Sequence, residues 1–174
     1  PIEILAGEEE GRLVSAAAHS ELPSLAGSVV VLDVGGGSIE LTVGSRDRCS
    51  SSLSLPLGVL RLRHEHLPED GVMRAPHVTG IRETVAAQAW NAARDIGRHA
   101  PSTLVLTGGT ARALVKLARR LDAGRSPTTV SRRQLQSIIA HLCGRASAEL
   151  SLLGRAHLSR GERAGVCLAM TLAP

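Results

Sequence analysis

The stretch VVVLDVGGGSIEL, residues 29–41, decides how this sequence is interpreted. An unbroken apolar run leads to the carboxylate of Asp33, three glycines, the hydroxyl of Ser38 and a second carboxylate, Glu40. Glycines let backbone N–H groups surround an anion, because no Cβ blocks the approach. An acidic residue directly before such a loop would repel phosphate unless a divalent cation lay between them. The pattern therefore predicts Mg²⁺ at Asp33 and phosphate oxygens at Gly35–Ser38; a tight glycine hairpin that binds nothing is the alternative.

Composition narrows the class of protein. The 174 residues fit one domain, or one domain with a connecting segment. Apolar residues make up 43% of them, enough for a core, which argues against wholesale disorder. Because there is no Phe, no Tyr and one Trp, binding of nucleic acid by base stacking is not expected. The net charge of +4 favours anionic ligands such as polyphosphates or nucleotides, and equally suits plain solubility.

The cysteines, the lack of a long apolar stretch and the first residues of the chain bear on where the protein is found in the cell. Cys49, Cys143 and Cys167 form no CxxC pair and are predicted to be reduced, buried thiols of a cytoplasmic protein. No stretch approaches the ~20 apolar residues of a membrane span. No signal peptide opens the chain, which begins at Pro1 without a methionine, so we expect a fragment of a longer protein.

The spacing of apolar residues predicts a mixed α/β domain. Alternation of apolar and polar residues indicates three antiparallel strands in a meander, and helical spacing indicates a helix on either side. In order, the predicted elements are the end of a strand at Ile2–Leu5, a helix from Gly7 to about His19, strands at Ser28–Asp33, Ile39–Val43 and Leu53–Leu57, and a helix from Val78 to Ile96.

A strand, a glycine turn and a helix follow the meander. Thr103–Leu106 is predicted to be a short buried strand that runs into the turn Thr107–Thr110. A helix start after such a turn aims its amides at an anion, although an ordinary βα turn is an equal alternative. The helix would place Leu114, Leu117, Ala118 and Leu121 on one face. Capping boxes at Ser131/Gln134 and Ser159/Glu162 predict two more helices, with a short packed helix at Leu150–Leu153 between them.

Two features of the sequence, a histidine pair and the single tryptophan, are assigned no function. The polar stretch from Pro56 to Pro76 is predicted to be irregular. His64 and His66 within it could ligate a metal, but the sequence shows no third ligand. We therefore prefer the interpretation that these histidines lie in a solvated loop. Trp90 falls off the apolar stripe of its helix and is expected to pack against a neighbouring element.

The glutamates Glu8–Glu10 stand at the start of the first predicted helix. Acidic residues at this position usually serve only to complement the helix dipole. Near a phosphate loop and a metal-binding carboxylate, however, a glutamate could take a proton from an attacking water.

Together these segments resemble the exopolyphosphatase/guanosine pentaphosphate phosphohydrolase family. ILAGEEEGRL at residues 4–13 resembles the family's VISGxEEARL, and DVGGGSIEL at 33–41 resembles its DIGGGSTEL, with Ile39 in place of the usual threonine. SLPLG at 54–58 is similar to SLxLG, and TGGTAR at 107–112 resembles GTGGTxR. The family's first lobe, with its DxGSxS loop, and its closing SDGGLREG segment are absent from these residues.

The resemblance implies an α/β, ribonuclease H-like lobe of the actin-like ATPase superfold, with a mixed sheet. Residues 1–22 would be a strand end and the helix that crosses between lobes, and residues 23–174 the second lobe, truncated at its C-terminal end. The implied reaction is Mg²⁺-assisted in-line attack of water on the terminal phosphoanhydride of inorganic polyphosphate, or conversion of guanosine pentaphosphate to the tetraphosphate. The missing N-terminal lobe would be a partner, a homodimer is a candidate assembly, and the chain alone is expected to be inactive.

The family's roles carry over residue by residue. Glu9 would be the catalytic base, and Asp33 and Glu40 would hold Mg²⁺. Backbone amides would bind the reacting phosphate at Gly35, Gly36, Gly37 and Ser38, and the neighbouring phosphate at Gly108, Gly109 and Thr110. A non-catalytic phosphate- or nucleotide-binding module that lacks its partner lobe is the alternative, and the choice between polyphosphate and guanosine pentaphosphate stays open.

Overall fold

A computed structural model describes residues 2–68, 72–121 and 129–143. The elements within these ranges are α1 (Gly7–Glu21), β1 (Val29–Val34), β2 (Ile39–Ser45), β3 (Arg48–Leu55), α2 (Val59–His66), α3 (Ala75–Gly97), β4 (Thr103–Thr107), α4 (Gly108–Leu121) and α5 (Arg132–Leu142). No helix in these ranges is both long enough and apolar enough to cross a membrane.

The four strands form one mixed sheet in the order β3-β2-β1-β4. Strands β1, β2 and β3 pair antiparallel, which confirms the predicted meander, and β4 pairs parallel to β1. Asp33 lies opposite Glu40 on one side and Thr107 on the other. Because parallel strands end at the same edge of a sheet, the glycine loop after β1 and the glycine turn after β4 lie side by side.

The sheet is covered on both faces. Val29 and Val31 of β1 pack against Ala18 of α1, which defines the α1 face of the sheet. Val34, which points the other way, packs with Leu62 of α2 and residues of α3 on what we call the α2/α3 face. Alternation along each strand therefore decides which side chains lie beneath α1.

Helix α1 sits directly on β2 and β3 through glycines. A Cβ at Gly7 would overlap the hydroxyl of Ser54, and one at Gly11 would lie 2.9 Å from Oγ1 of Thr42. The Ser52 hydroxyl donates a hydrogen bond of 2.7 Å to the carbonyl oxygen of Glu8. The first turn of α1, which carries the glutamates, is thus held against the sheet by backbone contacts.

The prediction of an irregular stretch between Pro56 and Pro76 was wrong where helix α2 forms. Val59–His66 is helical, with Val59 and Leu62 buried in the core. Its N-cap residue is Gly58, which has no side chain to cap the helix. The first amides of α2 are bonded instead by carbonyls of residues 35–37, a long-range contact that leaves no local signal in the sequence.

Three predictions of burial were wrong. Trp90 is 70% exposed, because the buried face of α3 consists of Ile81, Val85, Ala92 and Ile96. Leu104 is 60% exposed on β4, which lies at the edge of the described sheet. Cys49 is exposed near the hairpin between β2 and β3, whereas Cys143 is partly buried.

The strand end predicted at Ile2–Leu5 is not formed, whereas the remaining helix predictions that fall on described residues are confirmed. The helix with Leu114, Leu117 and Ala118 buried on one face is confirmed. So is the capping box of α5, in which Ser131 accepts a bond from the amide of Gln134. The predictions for Leu150–Leu153, for Ser159/Glu162 and for Cys167 fall outside the described residues.

Candidate active site

Two acidic residues stand at directly opposite positions of the β1–β2 hairpin. Asp33 and Glu40 are direct cross-strand partners, so both side chains project from the α1 face. Glu40 is only 2% exposed, and its Oε1 accepts a hydrogen bond of 3.0 Å from the hydroxyl of Ser54. Within the described residues, neither carboxylate forms an ion pair. Like charges directly opposite each other destabilise a sheet, so the arrangement favours a compensating cation.

The donor set fits Mg²⁺. This cation prefers oxygen ligands and commonly binds through one or two carboxylates, with water and substrate phosphate oxygens completing its coordination. Asp33 and Glu40 supply two such ligands. Groups of three or more His, Cys, Asp or Glu side chains are absent from the part of the chain that the structure describes.

The two histidines at 64 and 66 lie on α2 rather than in a loop. Nε2 of His66 is 2.9 Å from the hydroxyl oxygen of Thr84 and 3.7 Å from a carboxylate oxygen of Glu65. His66 thus links α2 to α3, while His64 is exposed.

In the glycine loop after β1, the carbonyl groups are hydrogen-bonded within the protein, whereas most of the amide groups are not. The Gly35 amide donates to the Ser38 carbonyl at 3.1 Å and closes the turn. The carbonyls of residues 35–37 accept hydrogen bonds from the first turn of α2. In contrast, the amides of Gly36, Gly37 and Ser38 donate to no group within the described ranges. Three consecutive amides are therefore available to an anion.

Ile39, which stands where the resembling family motif has threonine, lies away from the two carboxylates. Ile39 is 1% exposed and packs with Val34 and Leu57 on the α2/α3 face. Its neighbours along the strand, Ser38 and Glu40, point the other way. The replacement of the family's usual threonine by isoleucine therefore adds core packing and leaves the α1 face unchanged.

The second glycine turn is fixed to the end of β1. Gly108 has φ of +83°, and a Cβ there would lie 2.5 Å from Oδ1 of Asp33. The Thr110 hydroxyl donates to the Val34 carbonyl at 3.2 Å, so the amide is the donor that Thr110 has left for an anion. The N-terminus of α4, whose amides favour anions, thus lies beside the carboxylate of Asp33.

The three glutamates of α1 are exposed and point in different directions. Gly7 and Gly11 face the sheet, so a rotation of about 100° per residue places Glu9 on the far side of the helix. Glu10 is one turn before Val14, which packs against β1, so Glu10 lies on the side of α1 nearest that strand. The structure therefore brings Asp33, Glu40 and both glycine turns together, while Glu9 points away from them.

The sequence as a whole matches a known family. The model of the Ppx/GppA phosphatase family matches residues 1–170. The chain belongs to this family. Exopolyphosphatase 1 of Mycobacterium leprae is 31% identical over 157 residues, which are 86% of this chain and 46% of that protein. Exopolyphosphatase 1 of Mycobacterium tuberculosis H37Rv is 32% identical over 145 residues, 81% of this chain and 42% of the relative. This Ppx/GppA chain spans less than half the length of those relatives.

Solved structures of the Ppx/GppA family share its architecture. An exopolyphosphatase from Cytophaga hutchinsonii superposes with a TM-score of 0.81 at 18% identity, covering 98% of this chain and 55% of the other. The Aquifex aeolicus Ppx/GppA enzyme gives 0.76 at 23% identity, covering 97% and 56%. The predicted fold, a mixed sheet of the actin-like ATPase superfold, is confirmed.

Ser54 and Gly58 belong to the SLPLG segment, but sequence analysis assigned neither of them a role at the site. Ser54 donates the hydrogen bond to Glu40, and Gly58 contacts the backbone of Gly36 and Gly37 so closely that a Cβ there would overlap it. Neither role has a local signal, since Ser54 bonds a residue of the neighbouring strand and Gly58 contacts a loop more than twenty positions earlier in the chain.

Proposed function

We propose that this chain carries the metal- and phosphate-binding side of an active site that hydrolyses the terminal phosphoanhydride bond of inorganic polyphosphate. The observation that carries the proposal is the Asp33–Glu40 pair, two acidic residues at directly opposite strand positions, without an ion-pair partner in the described residues and next to two glycine turns. The printed names of the mycobacterial relatives, which are exopolyphosphatases, support this choice of substrate.

Each part of the site has a role in this reaction. Asp33 and Glu40 hold Mg²⁺, which when bound neutralises charge on the phosphate oxygens. The amides of Gly36, Gly37 and Ser38 bind the terminal phosphate, while Gly35 closes their turn. The amides of Gly108, Gly109 and Thr110 bind the neighbouring phosphate at the start of α4. Positioning and charge neutralisation of this kind are the main demands of phosphoryl transfer.

A glutamate of α1 acts as the base that takes a proton from the attacking water. The family's motif assigns this role to Glu9, whereas the helix geometry favours Glu10, since Glu10 lies on the β1 side and Glu9 on the far side. The variants Glu9→Gln and Glu10→Gln separate the two assignments. Loss of the base should reduce kcat by ~10²–10⁴. Glu83→Gln on α3, across the sheet, is the matched control.

Guanosine pentaphosphate is the second candidate substrate, because its 5′ end carries the same phosphoanhydride bond. The contacts that we propose for this site are to phosphate and metal only, so they would suit both molecules equally. Release of orthophosphate from polyphosphate and from guanosine pentaphosphate, measured side by side in the full-length protein, distinguishes them. Faster release from the nucleotide would overturn the assignment to polyphosphate while leaving the reaction type intact.

A non-catalytic phosphate-binding module is a second candidate function. It is favoured by the exposure of all three glutamates of α1, since an effective base is usually held in a closed site. For the same reason we expect the 174 residues alone to release phosphate at a rate near background. Tight binding of polyphosphate by the full-length protein without Mg²⁺-dependent phosphate release would support this alternative.

A further inference from the structure

We propose that the first turn of helix α2 is a positioning element, which turns the amides of the glycine loop toward phosphate. The inference rests on the proposed function, because it assigns a cause to the orientation of the same loop. It concerns Gly58 and Val59, which touch neither of the site's carboxylates in the described contacts.

Three successive carbonyls of the loop are bonded to α2. The carbonyl of Gly35 accepts from the amide of Val59 at 3.0 Å, and that of Gly36 accepts from Leu60 at 2.9 Å. The carbonyl of Gly37 accepts from the amide of Gly58 at 3.3 Å. Amides at a helix start are ordinarily free to bind an anion, but here they are used to hold the loop.

Peptide geometry converts these bonds into an orientation for the loop's amides. A trans peptide unit is planar, so its N–H points opposite to its C=O, and no described peptide bond is cis. The carbonyls of residues 35, 36 and 37 share their peptide units with the amides of Gly36, Gly37 and Ser38. Because all three carbonyls point at α2, all three amides point away from it.

The side away from α2 is the side of the carboxylates. Helix α2 packs with Val34 and Ile39 on the α2/α3 face, whereas Asp33 and Glu40 project from the α1 face. The loop thus turns its carbonyl oxygens, which would repel phosphate, toward the helix. It leaves its N–H groups for the anion, as in other backbone nests.

Glycine is required at residue 58 because there is no room for a Cβ atom, and not because of its backbone conformation. Its φ of −64° and ψ of 153° are open to any residue. A Cβ at this position would nevertheless overlap the backbone of Gly36 and Gly37. A side chain at residue 58 would therefore push α2 and the loop apart and lengthen the bonds that orient the amides.

Val59→Pro tests this arrangement with little disturbance of the helix. Val59 is the first residue of α2, where proline is favoured, and the backbone of Gly58 already has the extended form that precedes proline. The substitution removes the amide that bonds the Gly35 carbonyl. Val59→Ala is the matched control, since it keeps the amide and removes side-chain packing instead.

The measurement is the affinity for tripolyphosphate with Mg²⁺, in the full-length protein carrying Glu9→Gln and Glu10→Gln to prevent turnover. We expect Val59→Pro and Gly58→Ala to weaken binding about 10-fold, the scale of one charged hydrogen bond. Val59→Ala and Gly97→Ala, where a Cβ meets nothing within 4 Å, should bind as the parent does. NMR shifts induced by tripolyphosphate at the amides of Gly36, Gly37 and Ser38 should shrink in parallel.

The outcomes separate this inference from the function on which it rests. If the parent binds and Val59→Pro binds equally well, with undiminished shifts at those amides, α2 has no positioning role, although the proposed function stands. If Val59→Ala loses as much affinity as Val59→Pro, the effect comes from packing and the inference is overturned. A parent protein that binds no tripolyphosphate would overturn both.

Discussion

Gly108 and Asp33 are in such close contact that the turn after β4 is shaped around a carboxylate. A Cβ on Gly108 would lie 2.5 Å from Oδ1 of Asp33, well inside van der Waals contact, and the φ of Gly108 is +83°. Both the space and the backbone conformation therefore demand glycine. The contact joins the two predicted phosphate-binding turns through the carboxylate that precedes the first of them.

Gly108→Ala is expected to lower the free energy of unfolding by about 1–2 kcal/mol, because alanine is strained at positive φ and its methyl group meets Asp33. Urea denaturation measures the change. Gly97→Ala, at an unobstructed position in the last turn of α3, should stay within about 0.5 kcal/mol of the parent. Equal stability of the two variants would show that the turn is not constrained by Asp33.

Glu40→Gln should have opposite effects on stability with and without Mg²⁺. Without the cation, the neutral amide removes one of two like charges at directly opposite strand positions, so the melting temperature should rise above that of the parent. With Mg²⁺, the parent should gain stability by mass action and the variant should gain much less. Thermal melts with EDTA and across a Mg²⁺ series measure both effects. An identical Mg²⁺-induced shift in the two proteins would remove Glu40 from the metal site.

Asp33→Asn should raise the Mg²⁺ concentration needed for half-maximal activity by about 10-fold or more, since an amide is a poorer ligand than a carboxylate for a hard cation. Activity is measured as orthophosphate release across a Mg²⁺ titration. Asp47→Asn, in the exposed turn between β2 and β3, is the control for the lost charge. A titration curve that superposes on that of the parent would indicate a structural role for Asp33 alone.

The two described cysteines should differ in reactivity. Burial raises the pKa of the Cys143 thiol, although the nearby positive charge of Arg82 opposes the effect, whereas Cys49 is exposed. A raised pKa means less thiolate at a given pH, so iodoacetamide should alkylate Cys49 before Cys143 at pH 8. The rate at Cys143 should keep rising at pH values where an ordinary thiol has levelled off. Site-resolved mass spectrometry follows both rates, and faster labelling of Cys143 would contradict its burial.

Much of the fold could be predicted because its signals are local. Alternation along β2 and β3, the apolar run of β1 and the capping box at Ser131 and Gln134 each lie within a few residues. Helix α2 could not be predicted in this way. Its first amides are bonded by residues 35–37, more than twenty positions earlier in the chain, and its N-cap residue has no side chain.

The same distinction applies to the site. The first glycine loop and the two cross-strand carboxylates follow from a motif of thirteen residues, 29–41. The direction of the glutamates depends instead on which side of α1 meets the sheet. That side is formed by small residues, Gly7, Gly11, Ser15 and Ala18, while Leu13 is 57% exposed. Hydrophobic patterning therefore gives a poor guide to the orientation of Glu9 and Glu10.

Mg²⁺-dependent release of orthophosphate from polyphosphate by the full-length protein is the most direct test of whether Asp33, Glu40 and the glycine turns belong to a phosphohydrolase active site. The parent and Glu83→Gln should release phosphate only when Mg²⁺ is present, and Glu10→Gln should be slower by ~10²–10⁴, as expected on loss of a general base. The same loss in Glu9→Gln alone would return the base to the residue that the motif indicates. No release by the parent, or release that persists undiminished with EDTA and in both glutamine variants, would contradict the account.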